Sequence, residues 1–185
     1  MTGSATRLGP GAACAMDADA FRAAMRHFPT GVTVLATSGP AGPHGMTANA
    51  VISLSLDPPT VLAAVHHRTC TYTILRTAPT FTVNVLAADQ EDLAAEFARS
   101  SPDQDPFDRA AWQPSALTGD PTLTRSVGVL HCRVAERIDV TDHTLVIGTV
   151  IDASVHRPEA APLVFARGGF HALAGPPPAG PGSAR

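Results

Sequence analysis

Between Gly45 and Leu62 the chain reads GMTANAVISLSLDPPTVL, and from Thr47 to Leu56 it alternates. Side chains on an extended strand switch sides at every residue. One face would then carry Ala48, Ala50, Ile52, Leu54 and Leu56, and the other Thr47, Asn49, Val51, Ser53 and Ser55. A period of two is incompatible with a helix and demands a sheet partner. The second face carries small hydrogen-bonding groups and no long charged chain. Hydroxyls and amides both donate and accept, and short side chains let a flat partner come close, so this face suits the polar edge of a heterocycle.

The same strand signal recurs along the chain. TVLAAVH is apolar enough for a central strand, and TFTVNVL puts Phe81, Val83 and Val85 on one side. SVGVLHCRVAERIDV and HTLVIGTVIDASVH are long β runs, followed by PLVFARGGFHAL. TGVTVLATS and MTANAVISLSL flank the turn-rich GPAGPHG and read as a hairpin with a longer loop. Helices are expected over residues 17–28, 71–77 and 89–99. In the first, Asp17 caps and Phe21, Ala24, Met25 and Phe28 share a face; in the third, Leu93 and Phe97 form the buried stripe. Strands joined mostly without crossover helices indicate a mainly β fold, an antiparallel barrel with a few added helices. It is expected to be one domain over residues 16–173, between a disordered start (1–15) and a disordered Pro/Gly-rich tail (174–185).

Composition narrows the function. With 44% hydrophobic and 16% charged residues and a formal charge of −3, the chain gives no nucleic-acid signal. No run approaches the roughly 20 apolar residues that span a bilayer, and no signal peptide is evident. Three widely spaced cysteines, Cys14, Cys70 and Cys132, argue against a disulfide framework. The expectation is a soluble, cytoplasmic protein. All basic residues are arginine, a bias compatible with a high-GC genome such as that of an actinobacterial secondary-metabolite producer.

Four motifs bear on chemistry. GPAGPHG lacks the spacing of a dinucleotide fingerprint and precedes a strand rather than a helix. His66 and His67 are adjacent and would point to opposite faces, and no pair has chelating spacing, so no metal is expected. Asp142-His143-Thr144 opens a strand after a turn; His143 reads either as a turn histidine bonded to its neighbours or as a site histidine. Arg68-Thr69-Cys70-Thr71-Tyr72 reads either as an anion site at a helix start or as a threonine N-cap.

Taken together, GMTANAVISLSLDPP, TVLAAVHHRTCTY, FTVNVLAADQEDLAAEFA, the loop with Trp112, Gly119, Pro121 and Leu123, DHTLVIGTV and PLVFARGGF resemble the short-chain flavin reductase family. These are split-β-barrel reductase partners of two-component flavin-dependent monooxygenases. The resemblance implies NAD(P)H:flavin oxidoreductase activity on FAD or FMN, with NADH or NADPH as donor. It implies a homodimer and a diffusible reduced flavin handed to an oxygenase. Thr47, Ala48 and Asn49 would lie along the isoalloxazine edge, with Ser53 and Ser55 nearby. Arg68, Thr69 and Thr71 would hold the ribityl-phosphate end. Asn84, Val85 and Leu86 would pass close to the ring, Arg167 and Phe170 would bring a further wall, and His143 would stand where the nicotinamide docks. His66-His67 stand where an acid and a base are more usual, Phe170 where tyrosine is common, and Arg125 in place of a glycine. Two other readings share the barrel: a pyridoxamine-phosphate-oxidase-like flavoenzyme, for which no second basic cluster is evident, and a non-catalytic flavin or haem carrier.

Overall fold

The computed structural model describes residues 16–99 and 105–173; the two tails expected to be disordered lie outside the described residues. Seven strands form one antiparallel sheet. In chain order they are β2 (Thr33–Gly39), β3 (Gly42–Ala48), β4 (Val51–Leu56), β5 (Pro59–His66), β6 (Thr80–Val85), β9 (Gly128–Val140) and β10 (His143–Val155). Their spatial order is β3-β2-β6-β9-β10-β5-β4. Between β6 and β9 lies the ribbon β7 (Trp112–Pro114) and β8 (Pro121–Leu123). A separate small sheet joins β1 (Thr30–Gly31), β11 (Leu163–Ala166) and β12 (Gly169–Ala172).

The connectivity of β3 and β4 makes this sheet a barrel. They are its two edges, yet only Asn49 and Ala50 separate them in the chain. Three Cα steps span at most about 11 Å, so the sheet must curl until its edges meet. They meet at a corner without pairing along their length, and this leaves a split wall. Met46 of β3 and Val51 of β4 both pack on the same enclosed core of Leu35, Ala48, Val61, Ala63, Val65, Phe81, Val83, Cys132 and Val146. Gly148 is required inside it, because a Cβ there would stand 2.5 Å from the Phe81 ring. Burial pushes the Cys132 thiol up to about 12, so it remains protonated and inert.

The long strand expected over Thr47–Leu56 is therefore two strands, and on its apolar face Ala48 is buried but Ile52, Leu54 and Leu56 are not. Asn49 and Ala50 form the corner, and the β4–β5 register shifts between Ser53 and Ser55, which interrupts the alternation at Leu54. Ile52, Leu54 and Leu56 are 55%, 49% and 87% exposed, whereas Val51, assigned to the other face, packs inward. The GPAGPHG hairpin is also tighter than expected: Gly39 pairs with Gly42 across a two-residue turn.

The helices cover the barrel unevenly. α2 (Cys70–Leu75) closes one end through buried Leu75. After a 3₁₀ turn over Ala88–Gln90, α3 (Glu91–Phe97) buries Ala94 and Phe97 on the outer face of β2. Gly45 lets it in, since a Cβ there would touch Phe97 and Phe107 at 2.9 Å. The first helix, α1 (Ala18–Met25), is capped by Asp17 as expected but buries nothing. Phe21, Met25 and Phe28, expected to share one face of this helix, are all exposed.

Candidate active site

The corner between β3 and β4 also positions the candidate site. The Ala50 carbonyl accepts from the Ala64 N–H at 2.9 Å, which fixes Asn49 and Ala50 against β5 two residues from its end. That end is His66, and it pairs with His143 at the start of β10. With a rise of about 3.3 Å per residue, the corner, the end of β5 and the start of β10 fall within one ligand's length. Asn49 is exposed, and Arg68 is exposed on the turn that follows His66.

His143 is held by a small network. Its Nδ1 lies 2.7 Å from Asp142 Oδ1, so the ring donates from Nδ1 to the carboxylate and leaves Nε2 free. The other carboxylate oxygen, Oδ2, lies 3.4 Å from His66 Nε2. The Arg68 backbone N–H donates to His66 Nδ1 at 2.9 Å; that nitrogen is therefore the acceptor, and Nε2 carries the proton facing Asp142. The bond from His143 is the main cause that holds the Asp142 carboxyl below its usual range. One chain of contacts thus runs from the Arg68 turn through His66 and Asp142 to His143.

His67 faces the other way, as adjacent strand residues must. It stacks on Tyr72 with ring centroids 4.7 Å apart, and its Nε2 lies 3.0 Å from Thr144 Oγ1. Thr144 in turn donates to Asp139 Oδ1 at 2.5 Å. Among the described residues no group of three His, Cys, Asp or Glu side chains could hold a metal ion.

The other expected residues divide into those presented to a ligand and those used by the fold. Ser53 and Asn49 present exposed polar groups, and Val85 and Phe170 are half-buried. Ser55 bonds the backbone of Asp57 in both directions, as donor and acceptor, at 3.2 Å. Thr47 donates to the Ala94 carbonyl at 2.6 Å, tying β3 to α3, and Ala48 is buried with its carbonyl accepting from Thr33 Oγ1. Thr69 is the N-cap of α2: its hydroxyl accepts from Tyr72 N and donates to the His66 carbonyl.

Three more of the expected residues have buried side chains. Thr71 and Leu86 are buried and offer a ligand no side-chain surface. Asn84 is fully buried and committed: Nδ2 donates to Val34 O and Thr82 Oγ1, and Oδ1 accepts from Leu123 N at 2.8 Å. Its work is to lock the β7–β8 ribbon onto the barrel. Arg167 is exposed at φ +54°, in the turn between β11 and β12, and its N–H donates to the Arg26 carbonyl. Phe170 packs edge to face on Phe165 at 5.5 Å.

A partly open barrel with exposed amide, hydroxyl and guanidinium donors at one corner and a carboxylate-held histidine beside them suits a flat, polar-edged ligand with an anionic tail. This is the architecture of a flavin-handling split barrel. Residues 25–174 match the model of the flavin reductase like domain, and the chain belongs to that family. It is similar to a flavin reductase (NADH) of Kitasatospora aureofaciens, 40% identical over 156 residues that cover 82% of this chain and 80% of the relative. It is also similar to an FMN reductase (NADH), SmoA, of Agrobacterium fabrum, at 38% identity over 81% of this chain and 83% of the relative. Among solved structures it resembles the Streptomyces globisporus C-1027 NADH:FAD oxidoreductase SgcE6 in complex with NAD and FAD fragments, with TM-score 0.80, 37% identity, and coverage of 85% of this chain and 93% of that one.

His66 is the site residue that sequence reading missed. The signal was present: His66 ends one β run and His143 begins another, and antiparallel pairing of those runs brings the two together. Only the register, which the sequence does not print, makes them neighbours.

Proposed function

We propose that this chain is an NADH-dependent flavin reductase that reduces FAD or FMN by hydride transfer and releases reduced flavin to an oxygenase. The observation that carries the reading is the placement of Asn49, Arg68 and His143 around one corner of a split barrel whose family is established by sequence. Bound flavin supplies the hydride acceptor, a ring on which negative charge accumulates during reduction.

The protein's part is position and field. Asn49 offers an amide to the polar edge of the ring, where donors stabilise developing charge. Ser53 adds a hydroxyl on the same approach, and Val85 and Phe170 give apolar walls. The Arg68 guanidinium would hold the anionic tail, while Thr69 shapes the turn that presents it. Thr47 and Ala48 hold the strand that carries Asn49. His143, with Nδ1 fixed on Asp142, presents Nε2 as an acceptor for the amide N–H of the nicotinamide carboxamide. That contact orients the donor ring, and hydride transfer needs the reacting atoms about 3–3.5 Å apart. Hydride transfer between the two rings would ask no residue of this chain to carry a proton.

The exposed apolar face of β4 with Ile52, Leu54 and Leu56 lies on an unpaired barrel edge. An edge of this kind is ordinarily covered, and a second copy of the chain is the cover we propose. Free Cys70 and Cys132 suit a reducing cytoplasm, and no helix among the described residues is long and apolar enough to cross a membrane.

The function is tested by adding FAD or FMN to the purified chain and following NADH oxidation, with and without EDTA. Turnover that survives the chelator is expected; NADH left unoxidised with both flavins contradicts the proposal.

A further inference from the structure

A second cluster of cations lies away from the Asn49–His143 corner. α1 and the turn between β11 and β12 enclose an open cleft lined by Asp19, Arg22, Ala23, Arg26, His27 and Arg167. Its single carboxylate is already engaged, since Asp19 pairs with Arg22. Arg26 and Arg167 have no acidic partner among the described residues, on a chain whose net charge is −3.

The two arginines are brought together by the backbone. The Arg167 N–H donates to the Arg26 carbonyl at 2.5 Å. Arg167 and Gly168 both take positive φ, +54° and +81°, to make this turn. The Arg26 guanidinium lies over Gly168, where a Cβ would meet it at 3.0–3.4 Å, so the glycine is what lets the guanidinium lie flat there. Two like charges directed into one cleft without a counter-charge repel each other. The arrangement is favourable once an anion occupies it, and guanidinium groups match phosphate oxygens in geometry as well as charge.

We infer that this cleft binds the pyrophosphate diester of an adenine dinucleotide between Arg26 and Arg167, an inference that rests on the reductase reading above. The diester carries two negative charges, equal to the two uncompensated cations. The turn that carries Arg167 leads directly into β12 and Phe170, the wall that the family resemblance implies beside the reacting rings. Both NADH and FAD contain this group, and FMN lacks it.

The test uses the whole chain and two readouts. In calorimetric titration with inorganic pyrophosphate, the wild-type chain should bind, and Arg26→Gln or Arg167→Gln should weaken binding about tenfold, the loss expected for one charge-assisted hydrogen bond; Arg26→Lys should retain part of it. In steady-state assays the same variants should raise the KM of whichever substrate places its pyrophosphate here, with kcat held. A rise for NADH with either flavin assigns the cleft to NADH; a rise for FAD but not FMN assigns it to FAD. Pyrophosphate affinity unchanged in both variants, an equal KM rise for FMN, or altered sedimentation without altered pyrophosphate affinity would overturn the inference. The titration does not depend on turnover, so a chain that fails to oxidise NADH but binds pyrophosphate through Arg26 would contradict the reductase reading and leave the anion cleft standing.

Discussion

His66 and His143 meet edge to face across the β5–β10 pair, ring centroids 4.8 Å apart, with the Asp142 carboxylate touching both. The His143 ring is therefore supported on one side by a carboxylate and on another by a second imidazole. That second imidazole is fixed in turn by the Arg68 N–H.

This support predicts a split in kinetics. Replacing His143 with alanine should leave flavin affinity near wild type and lower kcat and kcat/KM together. The bond lost, from a neutral carboxamide N–H to the neutral Nε2, is worth about 0.5–1.5 kcal/mol, or roughly three- to tenfold in rate. A turn histidine with no other role would instead lower the melting temperature and leave the folded fraction with normal turnover.

Asn49 should behave in the opposite way. It is exposed at the barrel corner and no packing depends on it, so Asn49→Ala should fold normally. Loss of one hydrogen bond to a neutral group costs about 0.5–1.5 kcal/mol, a roughly three- to tenfold weaker flavin complex. Fluorescence titration with flavin reads this directly, and an unchanged affinity would place Asn49 away from the ring.

Leu54 tests the assembly. It is apolar and exposed on the edge strand β4, at the register shift. Leu54→Asp puts a charge on the proposed subunit contact without touching the enclosed core. Sedimentation should then show monomer, with weakened turnover. A wild-type chain that sediments as a monomer at full activity would remove the need for a partner copy.

A pH dependence follows from Asp89, which ties the end of the barrel to the segment after β10. Arg157 holds it bidentately at 3.0 and 3.1 Å, with Arg125 at 3.4 Å. The Arg157 hydrogen bond holds its carboxyl below the usual range. A depressed folded-state pKa stabilises the fold above the unfolded carboxylate value of about 3.9 and is lost as pH falls through the folded one. Arg157→Ala should therefore cost stability at neutral pH, by less than about 1 kcal/mol for so exposed a pair. The difference from wild type should close in acid, as thermal melts at both pH values would show.

Much of this fold is legible in the sequence, because the strands carry their own periodicity. β5, β6, β9 and β10 fall where the alternating and apolar runs put them. What the sequence does not reveal is closure. Ile52 and Leu54 look like core because they alternate with serines, but the chain turns from one edge of the barrel to the other at Asn49, and that turn sets their face outward. Phe21 and Met25 share a helical face, yet nothing among the described residues covers them. Asn84 is expected near the ring from the family resemblance alone. Its partners, Val34, Thr82 and Leu123, come from three different segments, and no local pattern announces them. His143 could be singled out by its position after a turn; His66 needed the register.

The proposed reaction is hydride transfer from a nicotinamide to a flavin beside Asn49, Arg68 and His143. The most direct measurement mixes the wild-type chain anaerobically with FAD or FMN and NADH and follows the flavin's visible absorbance against NADH consumption. Flavin should bleach one for one with NADH oxidised, at a rate that His143→Ala slows by roughly three- to tenfold. Flavin that binds but stays oxidised in the presence of NADH would contradict it.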